Sequence, residues 1–230
     1  MIPRAVDQVF RVADDLKSKG WVYKMEGQFL EIVSLPVFFN RANIDAFDQY
    51  NETINDLLGK GEFDKKKHEI KHDLKTGTTR VTDMTVIPLQ SAGQVRQLLV
   101  AAQSRRSVAA TLMNERSSRS HSVFTLRITG VNESSGESCE GCLNLVDLAG
   151  SERINVSFGE KFGTGANGAG SDKERLRETQ NINRSLSALG DVIAALGEKS
   201  ERGDKHIPYR NSKVGFSNLI SIFRLTLLFS

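Results

Sequence analysis

The stretch "LNLVDLAGSE", residues 143–152, constrains the fold of this chain more than any other feature. Residues 142–146 have the composition of a short strand that is buried on both faces. Asp147 would then lie at the carboxyl end of that strand, the edge where open α/β sheets bind ligands. Gly150 has no side chain, so its backbone N–H could approach a phosphate closely. The pattern predicts an α/β sheet with a ligand site at this edge, although plain turns also use Asp and Gly.

Predicted helices and strands alternate through the rest of the chain. Apolar residues at helical spacing predict an amphipathic helix over residues 3–19, with Gly20 suited to its end. A second helix is predicted to start at Ser91, and a capping box of Ser171 and Glu174 predicts the start of a long third one. Strand patterns cover residues 21–32, 68–73, 79–87 and 123–131. This order predicts an α/β protein with helices on both faces of a sheet.

The composition is that of an ordinary soluble domain, with 39% apolar and 26% charged residues among 230. The net charge of +3 is too small to indicate nucleic acid. Basic residues cluster in 173–184 and 199–213, which fits either an acidic partner or a solvated surface. Polar residues interrupt the apolar tail over 216–229, which is too short to span a bilayer. We therefore expect an intracellular protein with no nucleic-acid partner and no membrane partner.

The two cysteines, Cys139 and Cys142, form a single CxxC pair. No second pair, histidine cluster or thioredoxin-like context accompanies them, so the pair indicates neither zinc nor redox chemistry. We expect two thiols on a strand in a reducing compartment.

Five motifs in a fixed order give the chain a resemblance to a known family. Two are dense in polar groups: "NERSSRSH" at 114–121 and "DLAGSE" at 147–152. The others are "YNETINDLL" at 50–58, "QNINRSLSALGDVIAAL" at 180–196 and "HIPYRNSK" at 206–213. Together they resemble a kinesin motor domain. The stretches "GWVYKMEGQFLEI" at 20–32 and "GAGSDKERLRETQNINRSL" at 168–186 are most similar to the carboxy-terminal kinesins, which move toward microtubule minus ends. The resemblance implies a partial kinesin-type P-loop NTPase fold, an α/β fold with a mixed central sheet and helices on both faces.

The resemblance implies that the two polar motifs are the switch loops that close around ATP and Mg²⁺. Ser117 and Ser118 would contact the γ-phosphate, and Ser118 would also be a ligand of Mg²⁺. Arg119 and Glu152 would form the ion pair that joins the two loops. Ser117, Arg119 and Glu152 are therefore the predicted catalytic residues.

The strand end would complete this site. By the same resemblance, Asp147 would reach Mg²⁺ through a water molecule, and Gly150 would donate its N–H to the γ-phosphate. The predicted cofactors are ATP and Mg²⁺, held by Ser118, Asp147 and Gly150.

The resemblance also implies a microtubule as partner. The long helix from Arg175 would be the relay helix that lies on the microtubule. Lys173, Arg210 and Lys213 would face the acidic tubulin surface, where close charges also speed association, although each also fits an ordinary surface charge. A dimer would form through a coiled coil outside this chain. The expected location is the cytoplasm, on the microtubule cytoskeleton or the spindle.

The sequence departs from the family because it contains no G-x-x-x-x-G-K-[ST] string, the loop that holds the β- and γ-phosphates. In the family this loop lies upstream of the segment that "MIPRAVDQVF" resembles, so we expect the chain to start after it. The expected function is an ATP-driven microtubule motor that is impaired in this chain. The alternative is a non-catalytic microtubule-binding module.

Three segments interrupt the resemblance: residues 33–49, residues 156–167 and the tail 214–230. All begin with Val, and two begin with Val-Ser, which the intron start GTAAGT would encode. We interpret them as translated introns that interrupt one partial motor domain over residues 1–213. The alternative is genuine loop insertions, which surface loops tolerate well. We expect residues 33–49 to loop out of the sheet, and the tail from Val214 to fail to complete the last helix.

Overall fold

A computed structural model describes residues 2–35, 51–59, 66–73, 78–111, 120–150, 169–202 and 206–214. The helices are α1 (Ile2–Lys17), α2 (Ala92–Thr111) and α3 (Ala169–Arg202), followed by a short 3-10 helix at Tyr209–Asn211. The strands are β1 (Trp21–Leu35), β2 (Asn51–Asp56), β3 (Ile70–Asp73), β4 (Thr78–Val81), β5 (Ile87–Leu89), β6 (Ser120–Asn132) and β7 (Ser138–Asp147).

The long strand β1 organises the main sheet. One of its edges pairs with β5 and β2, and the other pairs with β6 along thirteen residues, from Trp21 opposite Asn132 to Val33 opposite Ser120. Strand β7 lies outside β6, which gives the order β2-β1-β6-β7. Every pairing in the described ranges is antiparallel, including a separate hairpin of β3 and β4.

Apolar side chains project from both faces of this sheet, as the predicted architecture requires. On one face, Phe29 and Phe124 meet edge to edge with ring centroids 5.9 Å apart, and α1 and α2 cover them. On the other face, Ile32 and Ile54 are buried under α3, which contributes Leu189, and under Val214. The alternation of the two sets along β1 follows from the period of two in a strand. The prediction of helices on both faces is therefore confirmed.

The first predicted helix is confirmed to within two residues at each end. Helix α1 ends at Lys17, and Gly20 follows with φ +84°, a left-handed conformation that suits glycine. Ser91 caps α2 as predicted, because its Oγ accepts from the N–H of Gln94 at 3.2 Å.

Three local predictions are wrong. The predicted strand over residues 79–87 is split between β4 and β5, because Asp83 adopts φ +56° and turns the chain. The predicted capping box fails because α3 already begins at Ala169, so Ser171 lies inside its first turn. Residues 142–146 are half-buried, not buried on both faces, because β7 pairs only with β6 in the described part of the sheet.

The structure places the first residues of two of the interrupting segments. The segment 33–49 was expected to loop out, yet Val33 is buried and β1 continues to Leu35, paired with β2. Val214, the first residue of the predicted tail, is fully buried in one cluster with Leu30 and Ile32, and the expectation that the tail fails to complete the last helix stays a prediction. The rest of those segments, and residues 156–167, lie outside the described residues. The interpretation as introns stays a prediction.

Two further findings concern the membrane prediction and the cysteine pair. Among the described helices, none is long and apolar enough to cross a membrane. Cys139 and Cys142 both lie on β7 as free, half-buried thiols.

Candidate functional site

Asp147 ends β7 opposite Ser122 of β6, so it lies at the carboxyl end of a strand as predicted. Its side chain is 68% exposed, and its Oδ2 lies 3.5 Å from a terminal nitrogen of Arg106 in α2. Residues 148–150 follow, and Ala149 among them is buried. An exposed carboxylate therefore stands beside a short loop that is fixed to the protein interior.

A buried ionic network lies directly behind Asp147. The Glu31 side chain on β1 is 2% exposed, and its carboxylate lies 3.4 Å from Nε of Arg106. Ser120 joins both partners: its hydroxyl donates to Glu31 at 2.7 Å, while its carbonyl and Oγ accept from Arg106 at 3.0 Å. The network thus fixes Ser120, the seventh residue of the "NERSSRSH" motif, to β1 and α2.

His121 joins three elements. Its Nδ1 lies 3.1 Å from the backbone nitrogen of Ala149, and its Nε2 lies 2.9 Å from Oγ of Ser185 in α3. A backbone N–H can only donate, so Nδ1 is the acceptor and Nε2 carries the ring proton. Nε2 then donates to Ser185, whose hydroxyl donates to the carbonyl of Ile182 at 2.7 Å. The buried ring is neutral, with one defined tautomer.

Burial lowers the pKa of His121 below its ordinary value, because it disfavours the charged ring. The charges of Glu52 and Asp147 oppose this shift, and the charge of Arg106 adds to it. A folded-state pKa below the unfolded value means that the unfolded chain takes up the proton first as the pH falls.

We expect the free energy of unfolding to decrease as the pH drops below about 6.5, the ordinary histidine pKa. His121→Gln keeps a donor near Ser185 and should reduce that loss, because it removes the titrating ring. The measurement is urea denaturation at pH values from about 5 to 8. His206→Gln is the matched control, since His206 is exposed and its replacement should leave the dependence intact. Identical pH profiles for His121→Gln and the unmodified chain would contradict the assignment.

Among the described residues of the predicted site, Asp147 has the side chain that suits Mg²⁺. Magnesium binds through one or two carboxylates together with phosphates and water, and Asp147 presents one exposed carboxylate. No cluster of three or more acidic, histidine or cysteine ligands occurs in the part of the chain that the structure describes. Gly150 supplies a backbone N–H in the adjoining loop. These groups fit the terminal phosphate of a nucleotide and its metal, and not the whole nucleotide.

The remaining predicted nucleotide residues cannot be placed. Ser117, Ser118, Arg119 and Glu152 lie outside the described residues. Their roles stay predictions.

The three predicted microtubule contacts lie in two segments, the start of α3 and residues 210–213. Arg210 is exposed on the 3-10 helix. Lys173 lies near the start of α3, and its side chain is outside the description. Lys213 is half-buried: its amino group donates to the Glu52 carbonyl, its N–H to the Glu52 carboxylate, and Ser212 also donates to that carboxylate at 2.6 Å. Lys213 thus ties this segment to β2.

Sequence reasoning missed the side chains that support the site: Glu31, Arg106, His121 and Ser185. Glu31 carried a signal, because an acid within the apolar strand "FLEIV" predicts a buried partner. His121 is the last residue of the "NERSSRSH" motif, yet no feature of the sequence indicates that its partner is Ser185, 64 residues away.

Comparison with known proteins assigns nearly the whole chain to one family. Residues 1–216 match the kinesin motor domain family. The chain is 53% identical over 217 residues to the kinesin-like protein klpA of Emericella nidulans. It is 44% identical over 222 residues to the kinesin-like protein KAR3 of Saccharomyces cerevisiae. Both matches cover 94% of this chain but 24% and 26% of those proteins, so the chain spans about a quarter of their length.

Solved structures agree with the sequence relatives. The motor and motor homology domain of Kar3Vik1, fused to a synthetic heterodimeric coiled coil, matches with a TM-score of 0.69 and 43% identity, over 94% of this chain and 47% of that one. A KIF14 dimer in complex with a microtubule matches with a TM-score of 0.67 and 29% identity, over 94% of this chain and 53% of that one. The predicted fold class is confirmed. The chain belongs to the kinesin motor domain family, and close relatives of it are C-terminal kinesins of the Kar3 and KlpA type.

Proposed function

We propose that this chain is part of a motor that couples ATP hydrolysis to movement along microtubules. One observation carries the proposal. The loop after Asp147, which would meet the terminal phosphate, is hydrogen-bonded through His121 to α3, the helix that would meet the microtubule. The two functions of a motor are thus joined by one buried side chain.

The nucleotide would be held by both polar loops. Bound ATP and Mg²⁺ supply the reacting phosphate and the charge that neutralises it. Asp147 would orient a water ligand of the metal, and Gly150 would donate to the γ-phosphate. Ser118 would be a direct metal ligand, with Ser117 on the phosphate. The Arg119–Glu152 pair would close the two loops and exclude water. Both of its residues lie outside the described part of the chain.

The microtubule would lie against α3 and the 3-10 helix. Arg210 is exposed there, and Lys173 belongs to the first turns of α3. The KIF14 match is a microtubule complex, which supports this partner. A dimer through a coiled coil is supported by the Kar3Vik1 match alone. The location would be the microtubule cytoskeleton, including the spindle.

We propose that residues 1–230 by themselves do not turn over ATP. The sequence contains no phosphate loop, whose backbone amides and lysine provide much of the binding and charge stabilisation in this chemistry. The same observation favours a second candidate function for this chain, a non-catalytic microtubule-binding module.

Phosphate release from ATP by the 230-residue chain, with saturating microtubules, should equal that of microtubules alone, because the grip on the phosphates is missing. Turnover above that background, lost in Asp147→Asn, would show a working motor and refute the proposed impairment. Sedimentation with microtubules tests the other half. Binding should weaken with salt, since it depends on exposed charges.

Arg210→Ala should weaken that binding severalfold, in the range of one exposed ion pair. Arg127→Ala is its matched control, because Arg127 is exposed on β6 and belongs to neither of the segments proposed to meet the microtubule. Equal loss in both variants would contradict the proposed face.

A further inference from the structure

The chain places one imidazole where three elements meet. His121 is the second residue of β6 and the last residue of the "NERSSRSH" motif. Its Nδ1 accepts from Ala149, in the loop that follows Asp147, and its Nε2 donates to Ser185 in α3. The ring and the Ser185 side chain are both fully buried, so water cannot replace either contact.

We propose that His121 is a positioning residue that couples the loop at residues 148–150 to helix α3. The inference rests on the proposed motor function, because that function gives the loop a phosphate and the helix a microtubule. A rigid ring with one acceptor and one donor on opposite sides holds both partners at fixed positions. A shift of α3 along its axis must therefore either break the Ser185 contact or move the ring and, with it, the Ala149 amide.

The donors and acceptors of the two hydrogen bonds tie both contacts to one tautomer of His121. The hydroxyl of Ser185 is committed as a donor to Ile182, so it is available to His121 only as an acceptor. The ring must keep its proton on Nε2 to use that acceptor, and this leaves Nδ1 free to accept from Ala149. Each contact thus requires the same tautomer as the other.

Hydrogen exchange at the Ala149 amide tests the coupling in the 230-residue chain. Ser185→Ala removes the acceptor in α3 and leaves the Ala149–His121 pair itself unchanged in composition. If the ring couples the two, exchange at Ala149 should become about tenfold faster, the effect of weakening one hydrogen bond. Ser187→Ala is the matched control, because Ser187 is exposed on the same helix. Equal exchange at Ala149 in the two serine variants would overturn the proposal.

One histidine variant, alone and combined with Ser185→Ala, separates the two contacts. The amide oxygen of His121→Asn occupies the position of Nδ1 and can accept from Ala149, but the shorter side chain cannot reach Ser185. Adding Ser185→Ala to His121→Asn should therefore leave Ala149 exchange unchanged, whereas independent contacts would give additive effects and contradict the coupling. A one-dimensional NMR signal from the Nε2 proton, lost in Ser185→Ala, would support the assigned tautomer.

Microtubules provide the last arm. Saturating microtubules should change Ala149 exchange in the unmodified chain and leave it unchanged in His121→Asn. If sedimentation shows no binding, the proposed function fails, yet the serine variants still decide the coupling. If microtubules bind and change both proteins equally, the coupling through His121 is refuted while the proposed partner stands.

Discussion

Alanine at Arg119 or at Glu152 is expected to slow microtubule-stimulated ATP hydrolysis about 10²–10³-fold, the range for losing one preorganised charge contact. The protein for this test joins residues 1–216 to an upstream phosphate loop, because the family chemistry requires one. The ion pair should form only when the two switch loops close on ATP. Its loss should therefore affect the chemical step much more than nucleotide binding in the ground state.

The measurement is steady-state kcat with saturating microtubules, beside the affinity for a fluorescent nucleotide. The charge-swapped double variant, Arg119→Glu with Glu152→Arg, should recover part of the lost rate, because an ion pair can form again in the opposite sense. Arg127→Ala, an exposed arginine on β6, is the control for simple loss of positive charge. Hydrolysis at the unmodified rate in either single variant would show that the pair does not close the site.

The extent of agreement between sequence and structure follows from the range of the interactions involved. Helix α1 and strand β1 could be predicted because their apolar spacing is local and regular. The split at Asp83 could not, because a strand pattern does not reveal one left-handed residue. The half-buried state of β7 depends on how many strands flank it, which is a property of the sheet and not of residues 142–146.

In the candidate site too, local features could be predicted from the sequence and long-range contacts could not. Asp147 was predicted at a strand end because an apolar run stops there, and the structure confirms that position. The network behind it brings together Glu31, Arg106 and Ser120 from β1, α2 and β6, and Ser120 and Glu31 alone are 89 residues apart. Such partners are chosen by the register of β1 against β6, in which Glu31 lies opposite Ser122. No local pattern encodes that register.

Glu31→Ala is expected to lower the free energy of unfolding by about 3–5 kcal/mol, the typical cost of removing one partner from a buried ion pair. The Arg106 side chain is 15% exposed, so its charge would lose the carboxylate that faces it inside the protein. Asp147 cannot compensate fully, because its carboxylate is 68% exposed and water screens its attraction. Ser120 would also lose the acceptor of its hydroxyl.

Urea denaturation at neutral pH measures the loss, and two comparisons give it meaning. Glu26→Ala, on the same strand, breaks a pair with Lys24, which is 70% exposed, and should cost about 1 kcal/mol or less. Glu31→Leu combined with Arg106→Met replaces both buried charges by apolar groups, and should recover much of the stability lost in Glu31→Ala. Equal losses for Glu31→Ala and Glu26→Ala would contradict the buried network.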